Sequence, residues 1–169
     1  MTGKSRQEQE QGQDTRPSRV NKDSNTLRHG VFGDMRPQPM IAVSNVQSSS
    51  LWYQKLLGCE SAHGGAEYER LVYKGNLVMQ LHHFEVEHHH GRIGDPDDKP
   101  YGNGVLLWFE IDDFDSAMER LKPLGAEVVM PKHRNPPSGD GGPNHWECWL
   151  RDPDGYMVVL ASPDGSVVP

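Results

Sequence analysis

Four side chains in the sequence belong to the two residue types that most often bind a metal ion or move a proton. They are His82, Glu110, His145 and Glu147. Two imidazoles and two carboxylates form a ligand set suited to Zn²⁺ or Fe²⁺. Without a metal, His82 or His145 could act with Glu110 in a proton transfer. We therefore take His82, Glu110 and His145 as candidate catalytic residues.

Aromatic and apolar residues share the strand faces on which these four residues are expected to lie. Side chains alternate between the two faces of a strand, so residues two positions apart point the same way. A largely apolar wall with a few polar groups is typical of a small-molecule pocket, and two tryptophans suit a flat ligand. The candidate ligand-binding residues are Gln80, Trp108, Glu147, Trp149 and Met157.

Each polar candidate also has a simpler interpretation. His82 fits a solvated strand end, and Glu110 fits the rim of the turn that follows it. His145 and Glu147 fit an exposed pair on an edge strand. The two tryptophans fit ordinary packing. The sequence leaves these alternatives open, because spacing alone does not show that the side chains converge.

The terminal segment, residues 145–162, gives the clearest structural signal. Two apolar runs flank D-P-D-G at residues 152–155. This is type I turn chemistry followed by a glycine in the left-handed region. Asp152 is then expected to pair with Tyr156, and Glu147 to lie opposite Ala161. That register places Cys148 and Leu150 under a helix, and Glu147 and Trp149 on the opposite face.

The remaining elements follow from apolar periodicity and turn residues. Ser48 or Ser49 is expected to begin a first helix that Gly58 ends, and Asp113 or Asp115 a second that Gly125 ends. A turn at Gly75-Asn76 would place Leu71 on the face of Gln80. Residues 132–144 are expected to be a loop, since they are rich in proline and glycine.

The order of elements is β-α-β-β-β, repeated once, which predicts an α+β fold of two similar modules. Module one spans about residues 38–84, a connection spans 85–101, and module two spans about 103–163. Together they form a domain over residues 35–169. Residues 1–34 have few apolar side chains and are expected to be a disordered tail.

Composition and net charge argue against several classes of function. The net charge of −7 disfavours nucleic acid and anionic membrane surfaces as partners. No apolar run approaches the roughly 18 residues of a membrane helix, and the N-terminus does not resemble a signal peptide. Cys59 and Cys148 both lie in apolar contexts, so we expect buried free thiols and a cytoplasmic protein.

Three consecutive histidines, His88 to His90, lie within the connection. Three adjacent side chains cannot all reach one ion from an extended chain, so a solvated loop is the first interpretation. The alternative is a lid over the pocket with one histidine reaching inward. A connection of this length without strong secondary-structure signals favours a function or mobility.

The two modules, the helix ends L-L-G and L-G-A-E, and the terminal R-D-P-D-G-Y resemble the glyoxalase, bleomycin-resistance and extradiol-dioxygenase group, the vicinal oxygen chelate superfamily. The resemblance covers about residues 38–163. It implies two modules whose mixed sheets form a cup-shaped, barrel-like cavity with the helices outside. It also implies a small-molecule ligand, and a homodimer is our expectation.

In metal-using members of this superfamily, the first and last strands of each module supply the ligands. The matching positions here are Gln38, Gln80, Leu106 and Val159. Leucine and valine have no donor atom, so we favour no metal cofactor. The favoured function is binding of a planar small molecule without metal. The alternative is a lyase, isomerase or extradiol-type dioxygenase with Zn, Fe or Ni held by His82, Glu110, His145 and Glu147.

Overall fold

The computed structural model describes residues 36–138 and 142–167. The expected tail, residues 1–34, lies outside these residues. The described part contains the two predicted modules, each of one helix and four strands, so the α+β fold is confirmed. Among these residues, no helix is long and apolar enough to cross a membrane.

Module one forms a four-stranded mixed sheet. Its first and last strands pair in parallel at one side, and the order across the sheet is β1-β4-β3-β2. The elements are β1 (Met40–Val43), α1 (Val46–Leu57), β2 (Glu60–Ser61), β3 (Tyr68–Tyr73) and β4 (Asn76–His83).

Module two repeats this arrangement, with the order β5-β8-β7-β6. A short 3₁₀ helix, His88–His90, lies in the connection between the modules. The two sheets are separate and do not close into a barrel. The elements of module two are β5 (Leu106–Glu110), α2 (Phe114–Leu124), β6 (Glu127–Asn135), β7 (His145–Arg151) and β8 (Met157–Ala161).

The helix ends agree with the sequence except at the start of α1. Gly58 and Gly125 end the two helices with φ angles of 69° and 63°, in the left-handed region that glycine adopts most easily. The N-cap of α1 is Asn45 rather than Ser48 or Ser49. The Asn45 side-chain oxygen accepts from the Ser48 N–H at 2.8 Å.

The terminal hairpin has the predicted register. Glu147 lies opposite Ala161 and Arg151 opposite Met157. The Asp152 N–H donates to the Tyr156 carbonyl at 3.0 Å. Cys148 and Leu150 are buried in the core, as predicted for the face under the helix.

The predicted register of β3 against β4 is wrong. Tyr73 pairs with Asn76, so the turn is Lys74-Gly75, and a bulge follows Leu71. Leu71 therefore pairs with Met79 and is fully buried on the helix side. Alternation then places Tyr68 and Arg70, rather than Leu71, on the face of Gln80.

The predicted loop after β6 begins too early. β6 continues through residues 132–135 and pairs with β7 as far as Asn135. Pro131 is tolerated there because β6 is the edge strand of its sheet. The extension brings His133 and Asn135 onto the face that carries Glu147.

Buried hydrogen bonds join the two modules. The Tyr53 hydroxyl of α1 donates to the Asp152 carboxylate at 2.8 Å. The Tyr156 hydroxyl donates to the Ala42 carbonyl of β1 at 2.9 Å. The turn between β7 and β8 is thereby anchored on the first strand and helix of module one.

Candidate functional site

The strand registers show which side chains share the face of module two opposite the one that packs on α2, and we call it the concave face because the fold is cup-like. Strand partners in register lie side by side across a sheet and point the same way. The middle row of this face crosses all four strands and contains three large apolar side chains around a small one. Its members are Trp108, Val159, Trp149 and Met130.

The large side chains of this middle row are partly exposed to solvent. Trp108 is 44% exposed and Met130 41% exposed, whereas Val159 between the tryptophans is fully buried. Leu106, 46% exposed, lies beside Met157 in the neighbouring row. Large apolar side chains on one open, concave surface are typical of a binding site.

Glu147 lies in the next row, and its carboxylate is surrounded by donors. The residue is 2% exposed. One oxygen accepts from the Asn135 amide and from His145 Nε2, the latter at 2.8 Å. The other accepts from Trp149 Nε1 at 2.8 Å and lies 3.5 Å from His133 Nε2.

These donors keep the Glu147 carboxylate ionised. Burial by itself would raise the pKa of this carboxyl group, since desolvation penalises the charged form. Hydrogen bonds from Trp149, Asn135 and His145 outweigh burial and lower the pKa below its usual value. A carboxylate with both oxygens occupied is poorly suited to accept a substrate proton. It is well suited to hold the Trp149 indole in place.

His145 is placed between two carboxylates. Its Nε2 contacts Glu147 and its Nδ1 lies 3.0 Å from an Asp164 oxygen. Only a doubly protonated ring can donate to both carboxylates at once. The exposed-edge interpretation of this pair is wrong, because β7 lies between β6 and β8 and both side chains are buried.

Three members of this polar network were missed by sequence reasoning. His133 and Asn135 fall in the segment taken for a loop, and Asp164 follows the last strand. No periodic signal was available, because Met130, His133 and Asn135 share one side of a strand that bulges twice. Such bulges break the strict period of two on which strand prediction depends.

The three candidate catalytic residues do not meet. His82 lines a cavity of module one together with the His88–His90 helix. Glu110 lines a different cavity, beside Tyr73 and Arg120. His145 contacts Glu147 and Asp164 instead. With Glu147 included, these four side chains do not form a metal-binding group among the described residues.

The four positions matched by resemblance to metal ligands have no suitable donor set. The Gln80 side-chain oxygen accepts from the Tyr68 hydroxyl, and its nitrogen donates to the Gln38 carbonyl at 3.2 Å. Gln80 is thus engaged within module one. Leu106 and Val159 carry no donor atom, so these four residues do not fit a divalent metal.

Two βαβββ modules, each with its first and last strands paired in parallel, define a duplicated α+β fold. A family model described as the Glyoxalase/Bleomycin resistance protein/Dioxygenase superfamily matches residues 36–160. The chain belongs to this superfamily, which confirms the resemblance seen in its motifs.

Solved structures with the same fold have low sequence identity to this chain. A protein of unknown function from Agrobacterium tumefaciens is 22% identical, with a TM-score of 0.59 over 78% of this chain and 97% of its own. A lactoylglutathione lyase from the same organism is 15% identical, with a TM-score of 0.57 over 78% and 95%.

The fosfomycin resistance protein FosX from Mesorhizobium loti is 14% identical, with a TM-score of 0.55 over 80% of this chain and 97% of its own. A comparison with curated protein sequences finds no match. At these identities the structural similarity establishes the fold and not the activity.

Proposed function

We propose that the protein binds a planar organic molecule on the concave face of module two, against Trp108 and Trp149. The observation that carries this proposal is the open middle row. Its two indoles are separated only by the buried Val159, and the Trp149 indole is fixed by its hydrogen bond to Glu147. A fixed aromatic surface loses little conformational entropy when a flat ligand stacks on it.

Charge narrows the class of ligand. The chain carries a net charge of −7, and Glu147 and Glu110 lie in the row beside the tryptophans. A neutral or cationic ring system therefore suits the face better than an anion. Met157, another expected contact, would border the ligand from the neighbouring row of module two. Gln80 would contact it only where a module-one sheet faces this surface, because its amide is bonded within module one.

Binding on this face needs no metal in our proposal, because the family's four ligand positions offer no donor set. The wider interpretation is sequestration of an aromatic drug or natural product, in keeping with the bleomycin-resistance branch of the superfamily. We also propose a cytoplasmic homodimer. Cys59 and Cys148 are buried free thiols, and much of the concave face is apolar and exposed.

Tryptophan fluorescence titration tests the binding proposal. The probes are metal-free bleomycin A2, a cation with planar heteroaromatic rings, and acridine orange, a planar cation. We expect quenching by at least one probe. Trp149→Ala or Trp108→Ala should weaken binding about tenfold, because about 1.4 kcal/mol of stacking is lost.

Trp146→Ala is the matched control, because Trp146 lies on the same strand as Trp149 but on its opposite face. It should leave the dissociation constant within about twofold once the fold is verified by circular dichroism. Equal weakening by Trp146→Ala, or no binding of either probe, would overturn the proposal.

A further inference from the structure

The side chain of His82 has an unsatisfied nitrogen in the interior of the protein. His82 is 2% exposed, and its Nδ1 lies 2.9 Å from the His83 carbonyl. Its Nε2 is the only buried side-chain nitrogen or oxygen without a hydrogen-bond partner among the described residues. Leaving such an atom unpaired costs about 1–3 kcal/mol, so it calls for an explanation.

Two further imidazoles lie next to the His82 ring. The His88 and His90 rings are centred 5.2 and 5.0 Å from it, and 5.8 Å from each other. Residues 88–90 form a 3₁₀ helix and are not extended. In this conformation the side chains of residues 88 and 90 both lie against His82. The extended-chain argument against a shared ion therefore does not apply.

Backbone carbonyls set the tautomer of the rings. His82 Nδ1 bonds the His83 carbonyl, and His90 Nδ1 bonds the Gly91 carbonyl at 2.7 Å. A carbonyl only accepts, so both Nδ1 atoms carry the proton and both Nε2 atoms keep a free lone pair. Metal-binding histidines are commonly oriented by this type of bond.

The surrounding cavity has the size and charge for a cation. It measures about 510 Å³ and is lined by the three histidines, His63, Glu67 and Tyr68 among others. The Glu67 carboxylate lies 3.9 Å from His88 Nε2. His63 Nδ1 also bonds a carbonyl, that of Tyr68, at 3.0 Å. A carboxylate at the rim offsets part of the charge of a divalent ion.

We propose that His82, His88 and His90 bind a divalent transition metal, Zn²⁺ foremost, through their Nε2 atoms. With metal–nitrogen distances near 2.1 Å, tetrahedral ligation places imidazole centres roughly 5 Å apart, close to the spacing observed. As they stand, no three His, Cys, Asp or Glu side chains of the described residues are placed to hold a metal ion. Binding therefore requires the exposed rings of His88 and His90 to rotate toward the fixed His82.

The proposed site is distinct from the four positions that match the metal ligands of the superfamily. It lies at the end of β4 and ties the connecting 3₁₀ helix to module one. With three imidazole ligands, a tetrahedral ion would have a fourth position for water or for an oxygen or nitrogen atom of a small molecule. The site does not depend on the concave face of module two.

Zinc titration of the metal-free full-length protein, prepared without a polyhistidine tag, tests this inference. We expect one Zn²⁺ per chain by isothermal titration calorimetry, and Co²⁺ should give the visible absorption of tetrahedral coordination. His90→Ala and His88→Ala change exposed residues and should weaken binding at least tenfold without loss of fold. His82→Ala should abolish it. Acidification should release the metal, because imidazole ligands must be unprotonated.

His89→Ala is the matched control within the same run: His89 also lines the cavity, but its described ring contact is with His90 and not with His82. It should keep the zinc affinity within about threefold. Three results would each overturn the inference: no stoichiometric zinc, unchanged affinity in His90→Ala and His88→Ala, or an equal loss in His89→Ala. Retained zinc binding in Trp149→Ala separates this site from the proposed ligand face.

Discussion

Two buried glutamates, Glu69 and Glu147, show how this protein uses charge at the level of single residues. Glu69 is 2% exposed and lies on the helix side of β3. Its carboxylate accepts from the Ser61 hydroxyl at 2.6 Å and from the backbone N–H groups of His63 and Gly64. It thus provides the hydrogen-bond acceptor for backbone N–H groups of the loop between β2 and β3. This glutamate is structural, although nothing in the amino-acid pattern around it distinguishes it from a surface residue.

The stability of the protein should depend on pH through Glu69. Burial would raise the pKa of this carboxyl group, but hydrogen bonds from Ser61, Gly64, His63 and Arg70 lower it from 4.5 to about 2. A folded-state pKa below the unfolded value stabilises the fold above about pH 4.5, and this contribution is lost as the pH falls toward 2. The contribution at neutral pH is on the order of 3 kcal/mol.

Urea unfolding at pH 7 and at pH 3 measures this effect. Glu69→Gln should lower the free energy of unfolding by about 2–3 kcal/mol at pH 7, and by clearly less at pH 3. Glu67→Gln is the control, because the Glu67 side chain is 65% exposed. A loss in Glu69→Gln that is the same at both pH values would contradict this account.

Replacing Glu147 should destabilise the fold more than replacing Glu110, the other carboxylate in the same row of the concave face. Glu147→Gln puts an amide N–H group against donors from Asn135, His145 or Trp149. We expect a loss of about 1–3 kcal/mol in the free energy of unfolding. Glu110→Gln, at an exposed position of the same row, should cost less than about 0.5 kcal/mol. Equal effects in chemical denaturation would show that the network around Glu147 contributes nothing.

At the level of elements, the terminal hairpin was predictable because its turn fixes its register. The D-P-D-G sequence allows one short turn, and a single turn determines every pair along both strands. Glu147 and Trp149 could therefore be assigned to the concave face before the structure was known. The convergence of His145 and Asn135 on Glu147, and of Asp164 on His145, could not, because it depends on side chains from separate segments.

The first hairpin shows where this reasoning fails. The K-G-N sequence allows two adjacent turns, but moving a two-residue turn by one residue changes each cross-strand partner by two positions and leaves the side chains on the same face. The bulge after Leu71 is what reversed the faces assigned to residues 68–71 of β3. The His88–His90 run was expected to be a solvated loop or a lid with one inward histidine, and the approach of two of its rings to His82 was not expected. Its 3₁₀ conformation has no periodic apolar pattern to indicate it.

The observed register of β3 can be checked by comparing the same leucine-to-alanine substitution at a buried and at an exposed position. Leu71→Ala removes a fully buried side chain and should cost about 2–5 kcal/mol in the free energy of unfolding. Leu51→Ala makes the same change on α1 where the side chain is 56% exposed, and should cost less than about 1 kcal/mol. Urea unfolding compares the two variants. Similar small losses of unfolding free energy in both variants would indicate that Leu71 lies on the concave face after all.

At the scale of the whole molecule, the two modules depend on each other through a few buried polar contacts. Tyr53 reaches from α1 to Asp152 at the terminal turn, and both residues are buried. Burial raises the pKa of the Asp152 carboxyl, although the Tyr53 hydroxyl opposes this rise. Without the other module, the Tyr53 hydroxyl would lose its acceptor and Asp152 Oδ2 its donor, which favours joint folding.

Tyr53→Phe should therefore destabilise the chain by about 1–3 kcal/mol, because Asp152 loses a donor within the interior. Thermal melts should show one cooperative transition in both proteins, with a lower midpoint in the variant. Tyr73→Phe is the control, since Tyr73 is 45% exposed. Two separate transitions in the unsubstituted protein would show that the modules fold independently.

The two sheets remain open, and this bears on the oligomeric state. β1 and β5 are edge strands, and each has an exposed apolar side chain on its concave side, Met40 at 40% and Leu106 at 46%. Open edges with apolar side chains favour pairing with another chain. A second copy of this chain is the simplest partner, because it presents the same surfaces and would complete a cup around the tryptophans.

We therefore expect a homodimer in sedimentation velocity, dissociating on dilution. Leu106→Asp places a carboxylate on the exposed apolar surface of β5, and desolvating it at an interface would be costly. This variant should sediment as a monomer at concentrations where the unsubstituted protein is dimeric. Leu51→Asp makes the same change on the exposed surface of α1 and should remain a dimer. A monomeric unsubstituted protein, or an unchanged dimer in Leu106→Asp, would mean that the concave faces serve the ligand alone.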